Sequence, residues 1–248
     1  MPRPNQSVQR LYVSAALNAD AELVLEGNPA HYLRNVVRLG IDDDVLLFNG
    51  RDGEWLAQIS QISKKQVSVQ LRAITRPQTA PTDLQLLLAP IKRDRLDYVA
   101  QKATEMGATR ITPVITRRTQ NTKLNLDRLR ANAIEASEQC NLLSVPHFDD
   151  AIRLDALLEG WADDRVIVFC DEHADVAAGM DALQDLKGRK RALLIGPEGG
   201  FDPQERDQLL ARQDTLALSL GPRILRADTA LVAALALVQS QIGDWRDG

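Results

Sequence analysis

Before about residue 75, apolar positions fall in short runs or alternations bounded by turn residues; beyond it, such runs alternate with longer stretches of helical spacing. Segments 10–13, 21–25, 45–48, 54–59 and 66–71 predict strands, and Asn49-Gly50-Arg51-Asp52-Gly53 predicts a hairpin between two of them. One helix interrupts this set at 31–39, opened by Asn28-Pro29 and closed by Gly40. Pro77 and Pro81 stand in a stretch without periodicity, which predicts a linker at 75–82 between a domain 1–74 and a domain 83–248. In the second domain, strands at 84–90, 110–115 and 165–170 alternate with helices at 94–106, 126–140, 153–158 and 176–186. The helix at 94–106 carries the stripe Leu96, Val99, Ala103 and Met106 and is closed by Gly107, while Asp171-Glu172 stands at the carboxyl end of the strand at 165–170. Strand and helix in alternation predict an α/β fold with a parallel sheet.

The stretch that organises the second half is Leu193-Leu194-Ile195-Gly196-Pro197-Glu198-Gly199-Gly200-Phe201-Asp202-Pro203-Gln204-Glu205. A buried-type strand breaks at Gly-Pro, and a helix opens with Asp202 as N-cap, Pro203 at the first helical position and Glu205 as capping-box partner. The loop between them leaves the carboxyl end of a strand, the edge at which open α/β sheets bind ligands. Residues 216–239 repeat the design: apolar run, Gly221-Pro222, a basic loop, then a helix for which Asp228 is the expected N-cap and Thr229 the alternative. Two adjacent units of this kind predict a shared pocket.

Composition narrows the chemistry. At 248 residues with 44% hydrophobic content the chain can hold a large core. No apolar run is long enough to span a membrane, and Met1-Pro2-Arg3-Pro4-Asn5-Gln6 carries no signal core, so a cytoplasmic protein is expected. Cys140 and Cys170 are too few for a disulfide framework, and His31, His147 and His173 lack ligand spacing, so no metal is expected. A net charge of −4 gives no whole-chain sign of nucleic-acid binding, but basic residues cluster at Lys92, Arg93, Arg95, Lys102, Arg110, Arg117, Arg118 and Lys123. Neither G-x-G-x-x-G nor G-x-x-x-x-G-K-[ST] occurs, which argues against dinucleotide and nucleoside triphosphate enzymes.

Residues 195–201 together with 218–229 resemble the two signature loops of the bacterial ribosomal RNA small subunit methyltransferase E family, of the SPOUT class. Arg10-Leu11-Tyr12-Val13, the segment 31–38, Lys92-Arg93, Gln101-Lys102-Ala103-Thr104-Glu105-Met106-Gly107 and Glu135-Ala136-Ser137-Glu138-Gln139-Cys140 resemble its other motifs. The chain departs from the pattern at Leu142, where an arginine is usual, and at Arg117, where a glutamate is usual. The resemblance implies a small N-terminal PUA-like β-barrel domain for RNA docking and a C-terminal SPOUT-type parallel-sheet domain with a trefoil knot. It also implies an S-adenosylmethionine-dependent methyltransferase acting at N3 of a uridine in the decoding region of 16S ribosomal RNA, within the small ribosomal subunit. A SPOUT-type tRNA or 2′-O-ribose methyltransferase and a non-catalytic RNA-binding ribosome-assembly protein remain alternatives.

Methyl transfer demands positioning more than a covalent intermediate. Gly196, Pro197, Gly199, Gly200 and Gly221 would line the cofactor with backbone, Leu194, Ile195, Leu220, Ile224 and Leu225 with apolar walls, and Thr229 completes the set. Uridine N3 must lose a proton, for which Arg226 is the candidate charge stabiliser and Glu198 the candidate orienting group or base. Arg10, Arg34, Arg38, Lys92, Arg93 and Arg118 are the candidate RNA contacts, with Arg34 and Arg38 four apart on one helical face. From Thr229 to Gly243 there is no charged residue, and the apolar positions surround the last helix, which predicts burial on all sides and a homodimer.

Overall fold

The computed structural model describes residues 8–161 and 164–246, and of Arg93, Asp94, Ala177, Ala178 and Arg246 the backbone alone. Met1 to Gln6, read above for a signal core, lie outside the described residues. Two compact units result: one comprises residues 1–80 with 137–145, the other 81–136 with 146–248.

The first unit is a curled sheet of β1 (Gln9–Tyr12), β2 (Glu22–Glu26), β3 (Asp44–Phe48), β4 (Glu54–Ile62) and β5 (Gln66–Arg76), in the order β1-β3-β4-β5-β2. β3 and β4 form the expected hairpin, and register shifts between β4 and β5 bend the sheet around Val45, Leu47, Ile59, Val69 and Leu71. β5 runs on to Arg76, past the point at which prolines suggest a linker, because Thr75 Oγ1 ties it to Glu54 and the pairing with β4 continues to Glu54↔Arg76.

The helix expected at 31–39 differs from its prediction. α1 (Gly27–His31) passes into a π-helical segment, Tyr32–Val37, that ends at Arg38 in the left-handed region (φ 62°), with Leu39 N donating to Leu33 O at 2.9 Å. Arg38 thus occupies the capping position assigned to Gly40 and leaves the helical row, so it does not share a face with Arg34.

The second unit is an all-parallel sheet in the order β12-β10-β11-β6-β7-β8, with β9 paired to β7. Its elements follow the chain as β6 (Leu84–Leu88), α2 (Arg93–Glu105), β7 (Arg110–Ile115), α3 (Leu126–Gln139), β8 (His147–Phe148), β9 (Ile152–Arg153), α4 (Leu154–Glu159), β10 (Arg165–Cys170), α5 (Val176–Gln184), β11 (Lys190–Ile195), α6 (Pro203–Leu210), β12 (Thr215–Leu218) and α7 (Ala227–Ile242). Apolar side chains cover both faces, as parallel sheets require. On one face Leu86, Leu88, Val168, Leu193 and Ile195 pack against Leu96 and Val99 of α2 and Leu231, Leu235 and Val238 of α7. On the other, Leu87, Ile167, Phe169 and Leu194 pack against Leu154 of α4 and Leu209 of α6.

Two details of the last helices follow from capping. α6 opens with a complete capping box between Asp202 and Glu205 and Pro203 in the first turn, as the sequence predicts. α7 starts before its expected cap: Arg226 is the extended residue that precedes it, and its carbonyl accepts Ala230 N at 2.7 Å. Asp228 therefore lies in the first turn, where a carboxylate favours the helix dipole, and stands 3.6 Å from Arg95.

Candidate active site

Strands β6, β11, β10 and β12 are neighbours, so their carboxyl ends bring four loops together. Between these loops lies a cavity of about 480 Å³. One wall comes from the Gly-Pro loop after β11, with Ile195, Gly196, Pro197, Glu198, Gly200 and Phe201. A second comes from the loop after β12 and the start of α7, with Leu220, Gly221, Arg223, Ile224, Leu225 and Arg226. The exit of β10 adds Cys170, Asp171 and Glu172, and Lys92, Arg95 and Gln120 complete the enclosure.

The first loop is tightly fixed. Gly200 N donates to Pro197 O at 2.9 Å and Gly200 takes φ +68°, a conformation that a side chain disfavours. A Cβ on Gly200 would stand 3.3 Å from Glu172 Oε1, and one on Gly196 would sit 2.7 Å from the Phe201 ring. Glu198 Oε1 accepts Lys92 N at 3.2 Å, so this carboxylate ties the loop to the residue before α2 instead of bracing its own turn. Arg118 Nη1 donates to Gly199 O at 2.8 Å, and Glu205, besides capping α6, accepts Arg117 N at 2.8 Å.

Three sequence-based cofactor candidates lie off the cavity. Leu194 is fully buried on the opposite face of the sheet, because consecutive strand residues alternate sides and Leu193 and Ile195 take the near face. Gly199 faces Arg118, whose side-chain carbons would lie 3.7 Å from an added Cβ. Thr229 is exposed on the first turn of α7 and outside the lining. Leu220, Gly221, Ile224 and Leu225 do line it, although Ile224 is 91% exposed and walls only the mouth.

The electrostatics of the cavity are divided. Asp171 is 2% exposed, pairs with Arg206 at 2.9 Å and accepts His173 N at 3.2 Å. Hydrogen bonding to Asp171 raises the Arg206 pKa above its ordinary value. Burial pushes the Cys170 thiol up to about 12, so the sulfur at this wall is a neutral thiol and no nucleophile. Lys92, Arg223 and Arg226 instead present side-chain cations that make no hydrogen bond or ion pair among the described residues. Sequence reasoning placed Asp171-Glu172 at a strand's carboxyl end without assigning them; that position was the available signal. Cys170 at the end of the strand 165–170, Arg95 in the basic cluster and Phe201 in the first signature loop carried the same kind of signal, and Gln120 carried none.

The RNA candidates separate into groups. Arg10 is engaged within its own unit: its guanidinium bonds Glu54 Oε2 at 2.6 Å, Ser137 O, Glu138 O and Leu142 O at 2.9 Å each, and lies 4.6 Å from the centre of the Phe48 ring. Ser137, Glu138 and Leu142 belong to the segment 137–145 of the same compact unit as Arg10, and burial lowers the Arg10 pKa despite the Glu54 partner. Arg34 donates to the carbonyls of Ser63 and Lys64 and is partly committed there, while Arg38 is exposed. Lys92 and Arg118 are exposed beside the Gly-Pro loop, and the side chain of Arg93 lies outside the described residues. Among the described residues no group of three His, Cys, Asp or Glu side chains could hold a metal ion, and no helix is long and apolar enough to cross a membrane.

A parallel sheet whose paired Gly-Pro loops enclose a cavity with cations unpaired among the described residues, in a chain that also carries a small curled β unit, is the architecture of an RNA methyltransferase. The RNA methyltransferase domain model matches residues 78–239, and the RNA methyltransferase PUA domain model matches residues 25–72. The chain belongs to the ribosomal RNA small subunit methyltransferase E family: it is 36% identical over 233 residues to the member from Rickettsia conorii, covering 93% of this chain and 94% of that protein. A ribosomal RNA small subunit methyltransferase E from Neisseria gonorrhoeae bound to S-adenosyl methionine superposes with a TM-score of 0.84 at 26% identity, over 94% of this chain and 97% of that one. A putative methyltransferase from Legionella pneumophila in complex with the same cofactor gives 0.83 at 28% identity over the same shares.

Proposed function

We propose that this chain transfers the methyl group of S-adenosylmethionine to N3 of one uridine in the decoding region of 16S ribosomal RNA, acting in the cytoplasm on RNA within the small ribosomal subunit. The observation that carries the reading is the cavity itself: a backbone-walled cleft with three cations uncommitted among the described residues, in a chain similar to proteins solved with that cofactor. The residues fit such a group. Gly200 at φ +68° leaves a cradle that a Cβ would fill, Gly221 at φ +102° has open space on its Cβ side, and Ile195, Leu220 and Leu225 supply apolar wall for an adenosine.

Bound there, the cofactor supplies an electrophilic methyl on a sulfonium. The chain's own task is to position the acceptor and manage its charge. Uridine N3 becomes a nucleophile only as its proton leaves, and the charge then spreads over the flanking carbonyl oxygens. Arg226, at the cavity and without a partner among the described residues, offsets that charge. Glu198 gives one carboxylate oxygen to Lys92 N and keeps the other for the N3 proton. The reading assigns RNA docking to residues 1–74, with Arg34 and Arg38, a linker to 75–82, and methyl transfer to 83–248, and it includes a two-fold dimer. Incubating small subunits with methyl-labelled cofactor and mapping the RNA tests it. A single 3-methyluridine in the decoding region is expected; label at a ribose, in tRNA, or nowhere would overturn it.

A further inference from the structure

A second cavity, of about 510 Å³, lies beside the first in the same unit. It is bounded by α2, the start of α3 and the loop that follows β7, and the two cavities share two wall residues, Lys92 and Gln120. A shared wall has a chemical meaning in a transferase. The acceptor atom must come within about 3–3.5 Å of the donor carbon, so the acceptor's pocket has to border the donor's.

The lining suits a nucleobase. Leu96, Leu124 and Leu129 offer an apolar surface to the flat face of a ring, with Leu96 and Leu129 themselves buried. At the rim stand Gln120, Lys92 and Lys123, whose side chains make no hydrogen bond or ion pair among the described residues. Other polar groups there are committed: Asn121 bridges Ile91 O and Lys123 N, Asn125 accepts Arg128 N, and Arg128 is locked on Asp97. The fixed groups shape the loop, and the free ones are left for a ligand. The uracil edge presents two carbonyl acceptors around one N–H donor, and a carboxamide both donates and accepts. A base buried in a duplex or stack can reach such a pocket only by turning out of it.

We infer that this second cavity receives the acceptor uracil, with Gln120 reading its edge and the Lys92 and Lys123 ammonium groups drawing in its developing charge and phosphate. The inference rests on the function proposed above and adds Gln120 and Lys123 to the residues that touch substrate. Arg226 then meets the acceptor from the donor side of the shared wall.

The test combines the variant Gln120→Ala/Lys123→Ala with photo-crosslinking of wild-type protein to 16S RNA carrying 4-thiouridine. The double variant is expected to lower kcat/KM for small subunits about tenfold to a hundredfold, the scale of losing a base contact, while calorimetry finds cofactor affinity within about twofold. Crosslinks are expected within 120–129. A double variant with undiminished kcat/KM, or with cofactor affinity reduced as much as turnover, would overturn the inference, as would crosslinks that avoid 120–129. Failure of the wild-type protein to methylate small-subunit RNA would instead overturn the functional reading, and the crosslink map would judge the cavity separately.

Discussion

Two arginines of this chain carry opposite kinds of work. Arg10 is buried against Glu54, whose carboxylate is fully enclosed, whereas Arg226 is exposed at the cavity with no partner among the described residues. Removing one member of a buried pair strands the other's charge, so Arg10→Ala should cost about 3 kcal/mol of stability by urea denaturation, softened by Arg76 at 3.7 Å from Glu54. RNA affinity of the folded variant should stay at the wild-type value; a stable variant with weak RNA binding would restore Arg10 as a contact. Arg226→Ala should behave inversely, with unchanged melting, cofactor affinity within a few-fold and turnover down about a hundredfold. Full turnover would remove it from the chemistry. Sequence alone could not separate the two, since what buries Arg10 is a partner at Glu54 and the carbonyls of 137–142.

Among the elements, those written in local chemistry were legible. The capping box of α6, the hairpin of β3 and β4 and the all-parallel sheet follow from caps, turn residues and apolar runs. Others were not: the π-helical ending at Arg38 and the early start of α7 turn on local backbone conformations that no side-chain pattern marks, and the enclosure of Asp171 turns on Arg206 from another element. The Gly-Pro loop contains both kinds. Its glycines are readable as permissive, but which of them faces the cavity depends on Arg118, reached from another strand exit. Gly200→Val should therefore lower cofactor affinity at least tenfold in a folded protein, because it combines positive φ with crowding against Glu172. Gly199→Ala, with ordinary space toward Arg118, should leave affinity within about twofold. Calorimetric titration of both decides the assignment, and equal losses would show that the whole turn, not one face, meets the cofactor.

At the scale of the whole molecule the question is what covers α7. Its sequence is apolar around the helix, yet within one chain the burial is one-sided: Leu231, Leu235, Val238 and Ile242 are enclosed, while Val232, Ala233, Ala236 and Leu237 are only half-buried. Tyr98 of α2 at 43% exposure and Trp245 after α7 at 52% leave more apolar surface uncovered in the same unit. Apolar surface of this kind is ordinarily covered by a partner, and a second copy in two-fold symmetry is the commonest. The burial also selects the variant. Leu235 is at 0% exposure inside the core, so Leu235→Glu would place a charge among Leu193, Leu231 and their neighbours and unfold the unit. Leu237→Glu places the charge on the half-buried stripe and should keep the fold. Light scattering at micromolar concentration should give twice the chain mass for wild type and the single-chain mass for a Leu237→Glu variant of native melting temperature. A wild type at single-chain mass would end the dimer proposal, and a Leu237→Glu protein that stays dimeric would move the interface off this helix.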